Sequence, residues 1–170
     1  MSEEWRQLTE FPLYEVSNLG RFVNRDNDLI IQTSRTLQGD LKVGLYIDDI
    51  QYTRMVKKLV AETFVQGRTL VFDTPILRDG NQLNCSAANI EWRPRWFAIS
   101  YARQFKKIPD HYRLGPIVEL DEEGIVIGAY SDTVEVGITN GLLFRHIWEA
   151  LHTRQMVFPT WQRFAFSDKV

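Results

Sequence analysis

Turn-forming residues cut this 170-residue chain into short pieces, and no other feature limits its fold as tightly. Asn18 to Gly20, Asp26 to Asp28, Asp48 to Ile50, Gly67, Asp79-Gly80-Asn81, Pro109 and Glu122-Glu123-Gly124 each stop an apolar run before it can become a long element. No run approaches the roughly 20 apolar residues that cross a bilayer, so a membrane-spanning helix is excluded. What remains is an α+β chain of short strands and a few short helices. Residues 14–32 read as short strands, and 41–47 (LKVGLYI) pairs with 51–56 (QYTRMV) as a hairpin. Residues 57–66 place Leu59, Val60 and Phe64 on one helical face with Lys57, Lys58 and Glu62 outward. Residues 68–92 read as a hairpin or two short strands around a large loop. Pro94 then opens a helix in which Phe97, Tyr101 and Phe105 recur every four residues and define its inner side. Residues 117 onward give a second hairpin, helices near 132–137 and 141–151, and a final aromatic strand around FPTWQRFAF.

Composition supports a folded chain: 44% hydrophobic and 12% aromatic residues are too many for a disordered tail. The start MSEEWRQLTE lacks the basic-then-apolar pattern of a secretory signal, so an intracellular protein is expected. Cys85 stands alone, which excludes an internal disulfide and a multi-cysteine zinc cluster. The net charge of −2 hides an uneven distribution. Residues 1–56 hold six Lys/Arg against nine Asp/Glu, 57–113 hold ten against five, and 114–170 hold four against eight. A cationic middle between acidic flanks points to a polyanion partner.

The opening EEWRQLTEFPLYEVSNLGRFV resembles the nuclease-associated modular domain found at the N-terminus of many phage and intron-encoded homing endonucleases, through Trp5, Tyr14, Val16, Ser17, Asn18, Gly20 and Arg21. VKKLVAETF is similar to the helix leading into the HNH core, with Lys57 where that family usually has His. ILRDGNQLNCSAANIEW keeps the HNH frame in Asp79, Gly80, Asn84, Asn89, Glu91 and Trp92. The segment from GPIVEL to TWQRF resembles, more loosely, the helix-turn-helix-like module appended to such nucleases. The resemblance implies a β-rich N-terminal module at 1–56, a ββα HNH-like core at 57–107, a linker at 108–116 and a C-terminal hairpin-plus-helices module at 117–170. It also implies a phage type of origin, hence the cytoplasm of a bacterial host.

An HNH nuclease needs a divalent metal against the scissile phosphate and a neutral His that takes a proton from water. Carried over position by position, that His falls on Leu77, a metal-binding Asp or Asn on Ile76, and a later metal-binding Asn on Ala98. None of the three side chains can accept a proton or bind a metal. His111, His146 and His152 lie in the linker and last module without metal or base spacing. The expectation is a nuclease scaffold without catalysis, metal or cofactor. Relocated ligands, such as Asp73, Asp79, Asn81 and Asn84, are the enzymatic alternative.

A nucleic-acid surface can outlast the chemistry, because phosphate and base contacts use other residues. The run from Trp92 to Lys107 interleaves Arg93, Arg95, Arg103, Lys106 and Lys107 with aromatic residues, and Trp96 is expected to face outward with the cations. In the first module Arg21, Asn24, Arg25, Arg35, Lys42, Tyr52 and Arg54 are candidates, continued by Lys57 and Lys58. The expected partner is nucleic acid, with RNA or single strands slightly ahead of duplex DNA, because a basic and aromatic run favours stacking and the last module is acidic. Leu142, Leu143, Phe144, Ile147, Trp148 and Leu151 give that last module a wide apolar surface, which is either its core or a protein-docking site. The scaffold reading therefore adds a possible protein partner there. No membrane partner is implied.

Overall fold

The computed structural model describes residues 2–170, which divide into two compact units, one ending at Ala98 and the other running from Ile99 to Val170. In the first, β1 (Trp5–Gln7), β2 (Tyr14–Ser17), β3 (Phe22–Asn24) and β4 (Ile30–Ile31) form an antiparallel meander in chain order. A second sheet holds β5 (Ser34–Arg35), β6 (Leu41–Ile47) and β7 (Ile50–Met55). Its hairpin turns on two residues, Asp48 and Asp49, both left-handed at φ 49° and 63°, so Ile47 pairs directly with Ile50. Such a turn matches the right-handed twist of its strands, and Asp is among the few non-glycine residues that tolerate it. Ile50 therefore belongs to the strand rather than to the turn.

The helix expected over 57–66 is α1, Val56–Phe64, which buries Val56, Leu59, Val60 and Ala61. The stretch 68–92 is a true hairpin of β8 (Thr74–Leu77) and β9 (Ile90–Arg93), and α2 (Arg95–Gln104) follows directly after Pro94. One hydrophobic cluster runs through the first unit, from Phe11, Val16 and Phe22 through Val43, Leu45 and the buried side of α1 to Leu77, Ile90 and Trp92. Segments 1–56 and 57–98 thus bury their apolar faces together.

The second unit has the sheet β11 (Val126–Tyr130), β10 (Ile117–Leu120) and β12 (Arg163–Phe166), with β10 in the middle. The helices α3 (Thr133–Asn140) and α4 (Phe144–Thr153) are joined through Gly141, which is left-handed at φ 63°. Asp132 caps α3 by accepting a hydrogen bond from the Glu135 N–H at 2.8 Å. The helices meet closely at Gly137, where a Cβ would lie 2.4 Å from the Phe144 ring. Leu142, Leu143, Phe144, Ile147 and Leu151 are buried and Trp148 is half-buried, so the wide apolar surface is core. Residues 110–113 form a short 3-10 turn in which Tyr112 packs on Phe144 and His111 on Trp148. Among the described residues no helix is long and apolar enough to cross a membrane.

Candidate nucleic-acid interface

The β8–β9 hairpin and the start of α2 form a ββα element, the segment where the sequence resemblance puts an HNH centre. Ile76 and Leu77 sit on β8, 4% and 7% exposed, opposite Glu91 and Ile90. Leu77 packs into the main cluster, and alternation along the strand turns Ile76 to the other face. The Glu91 carboxylate opposite Ile76 is engaged by Arg93 at 2.5 Å and by Arg78 at 3.6 Å. Ala98 adds a methyl group from α2.

The hairpin loop is organised by Asp79. Its Oδ1 accepts from the Asn81 N–H at 2.9 Å and the Asn89 side-chain amide at 2.8 Å, and its Oδ2 accepts from Asn84 at 2.7 Å. Asn89 also donates to the Asn84 carbonyl, and Asp73 accepts from Thr74. These carboxylates tie a loop together. Among the described residues no three of His, Cys, Asp and Glu gather as a metal cage. Three aliphatic side chains, one carboxylate held by amides and one held by guanidinium groups do not fit a divalent cation. All three histidines belong to the second unit. His146 is half-buried and burial holds its pKa below the ordinary value, while His152 Nδ1 lies 2.8 Å from the Trp148 carbonyl oxygen. Cys85 is buried, and burial pushes its thiol up to about 11.

The sequence-expected cations fall into two groups. Arg21 pairs with Glu3, Arg25 with Glu15 at 3.4 Å, Arg54 with Glu10, and Lys57 with Asp40 at 2.8 Å. The hydrogen-bonded guanidinium groups of Arg21 and Arg54 hold the carboxyls of Glu3 and Glu10 below their usual range. Arg93, expected to face outward, is instead 6% exposed, bound to Glu91 and to the Trp92 carbonyl, and 5.8 Å from the Phe97 ring centre. Asn24 accepts from the Asp26 N–H, and Tyr52 lies against Phe11 beneath Arg54.

Arg35, Lys42, Lys58, Arg95, Arg103, Lys106 and Lys107 form no ion pair among the described residues. Lys42 stands opposite Ser34, and Arg35 is the next residue on that strand, so Arg35 and Lys42 emerge on opposite faces of the sheet. The densest set is on α2. Phe97 and Tyr101 are buried, as the four-residue period requires, and Phe105 is half-buried. The opposite side exposes Arg95, Trp96, Ile99, Ser100 and Arg103, with exposed Lys106 and Lys107 just past the helix end. Trp96 keeps 55% of its surface exposed, and its ring centre lies 5.7 Å from that of Phe97 in an edge-on arrangement. Ile99 and Ser100 had no sequence signal beyond helical spacing.

Residues 3–46 match the NUMOD4 motif. Two uncharacterized HNH endonucleases of Acanthamoeba polyphaga mimivirus are similar in sequence. One is 27% identical over 149 residues, covering 86% of this chain and 43% of the relative. The other is 27% identical over 89 residues, covering 52% of this chain and 22% of the relative. The chain thus spans less than half the length of these curated relatives. A solved structure showing DNA binding and cleavage by the HNH homing endonuclease I-HmuI aligns with a TM-score of 0.55 and 19% identity, over 96% of this chain and 98% of that one. The chain has the α+β fold of an HNH homing endonuclease, with β sheets at its N-terminus.

Proposed function

We propose that this protein binds nucleic acid on an HNH endonuclease fold without hydrolysing it. One observation carries the reading: the exposed side of α2 presents Arg95, Trp96 and Arg103, followed by Lys106 and Lys107, and its cations have no carboxylate partner among the described residues. Guanidinium groups give bidentate phosphate contacts, ammonium groups add point charge, and an indole face stacks on any unpaired base. The I-HmuI likeness brings DNA to this chain as a ligand class. Stacking on Trp96 requires unstacked bases, so single strands of RNA or DNA are favoured over duplex.

Hydrolysis is not carried over with the fold. Ile76, Leu77 and Ala98 offer neither a metal ligand nor a base, and the carboxylate of Asp79 is occupied by three donors. The relocated-ligand alternative needs Asp79 released from its loop, and it predicts magnesium- or manganese-dependent cutting that Asp79→Ala abolishes.

The test is fluorescence anisotropy of labelled single-stranded RNA, single-stranded DNA and duplex DNA across a salt series, run beside a gel assay with magnesium or manganese. Salt-sensitive binding, strongest to single strands, with no cleavage is the expected result. Cleavage by purified protein, or an absence of binding to all three at low ionic strength, overturns the reading.

A further inference from the structure

The second unit carries three more cations beside one groove, Arg154, Arg163 and Lys169. β12 pairs only with β10 among the described residues, so its other side is a sheet edge. Ser167 donates to the Pro116 carbonyl at 3.1 Å on the β10 side, and the Gln162 carbonyl accepts from Val157 at 2.9 Å on the outer side. The alternation of an antiparallel strand then turns the N–H and C=O of Phe164 and the N–H of Phe166 outward. They face a groove of about 540 Å³ between β12, the C-terminal end of α4 and the last residues of the chain. Leu120, Leu151 and Phe164 are among its apolar lining, and the lining contains no Asp or Glu.

Arg154, Arg163 and Lys169 line this groove without a carboxylate partner among the described residues, whereas Arg113 and Arg145 of the same unit are paired with Asp132 and Glu149. Arg163 reaches only a backbone oxygen, that of Glu122 at 3.4 Å, and Lys169 lies 5.0 Å from the Phe166 ring centre. We infer that the groove binds an extended acidic peptide, which adds as a strand to β12 and sets its carboxylates against Arg154, Arg163 and Lys169.

Charge alone would also suit a polyphosphate. The strand edge decides between them, because it offers a carbonyl acceptor as well as N–H donors, and a phosphodiester backbone has only acceptors to give in return. An extended peptide supplies both. At the strand rise of about 3.3 Å per residue, the four residues of β12 seat about four residues of peptide, whose side chains alternate between the two faces.

The probe is a fluorescein-labelled, end-blocked peptide alternating Glu and Val, titrated with the full chain at low ionic strength. A Lys/Val peptide, an oligothymidine and an N-methylated Glu/Val peptide serve as comparisons. Binding of the Glu/Val peptide, rejection of the Lys/Val peptide and loss on N-methylation are expected. Arg154→Glu with Lys169→Glu changes two exposed side chains, leaves the circular dichroism spectrum intact, and weakens binding by about tenfold or more. The proposal is overturned by no binding, by equal binding of the N-methylated peptide, or by binding that survives the double substitution. It is also overturned if the oligothymidine, and not the peptide, loses affinity with those two substitutions.

Discussion

Ser17 is fully buried, and its hydroxyl oxygen accepts from the N–H groups of Leu19 at 3.2 Å and Arg21 at 3.1 Å. The neighbouring Asn18 accepts from the Glu4 N–H at 2.9 Å, while its carbonyl accepts from Ala87 at 2.8 Å, joining the first sheet to the loop between β8 and β9. Gly20 closes the turn at φ +83°, and a Cβ there would touch Cys85 and Val56 at 3.4 Å. The residues that carry the N-terminal resemblance are therefore joints of the first unit. Ser17→Ala leaves two turn N–H groups unsatisfied and is expected to cost about 1–3 kcal/mol, read as a lower urea midpoint with an unchanged slope. Cys85, packed against this turn, has a thiol raised from 9.0 to about 11 by burial. Its thiolate is scarce at neutral pH, so iodoacetamide should leave the folded protein unlabelled at pH 8 and label it rapidly in urea. Because the folded pKa is the higher one, the stability tied to this thiol is full below pH 9 and is lost as pH rises toward 11.

At the scale of elements, the stretch from Trp92 to Lys107 separates into two kinds of arginine. Arg93 ends β9, buried and paired with half-buried Glu91, whereas Arg95 and Arg103 stand on the exposed side of α2. Arg93→Ala removes a buried guanidinium and leaves Glu91 to Arg78 alone, and it is expected to destabilise the fold by about 1–3 kcal/mol, with any loss of nucleic-acid binding following from unfolding. Arg95→Ala with Arg103→Ala should leave the melting temperature nearly unchanged and weaken binding. Parallel thermal melts and anisotropy titrations of the two variants check this contrast, and equal melting temperatures would contradict the burial of Arg93. The helix itself was legible, since Phe97, Tyr101 and Phe105 mark an inner side by period alone. Arg93 was half legible: Glu91 and Arg93 are two apart on a strand and so share a face, but the burial of Arg93 depends on Phe97 arriving from the next element. Pairs such as Arg21 with Glu3 and Arg54 with Glu10 were not legible, because turns and strands several elements long bring them together.

Across the whole molecule, the excess of positive charge between Lys57 and Arg113 does not become one positive surface. Lys57, Arg68, Arg78, Arg93 and Arg113 are each taken up by a carboxylate, which leaves Lys58 on α1 and, as the four cations on or just past α2, Arg95, Arg103, Lys106 and Lys107. That number sets how strongly salt should act. Each phosphate neutralised on a single strand contributes roughly 0.7 to the slope of log affinity against log salt, so four contacts give a slope of about −3. A chain using every cation in that stretch would show about −7. Measuring the slope with an unstructured single strand separates these cases, and Arg95→Ala with Arg103→Ala should reduce it by roughly half. Trp96→Ala, by contrast, should lower affinity by about 1–3 kcal/mol at every salt concentration without changing the slope, because stacking releases no counterions. A slope that fell with Trp96→Ala and held with the arginine pair would place the phosphate contacts elsewhere on the molecule.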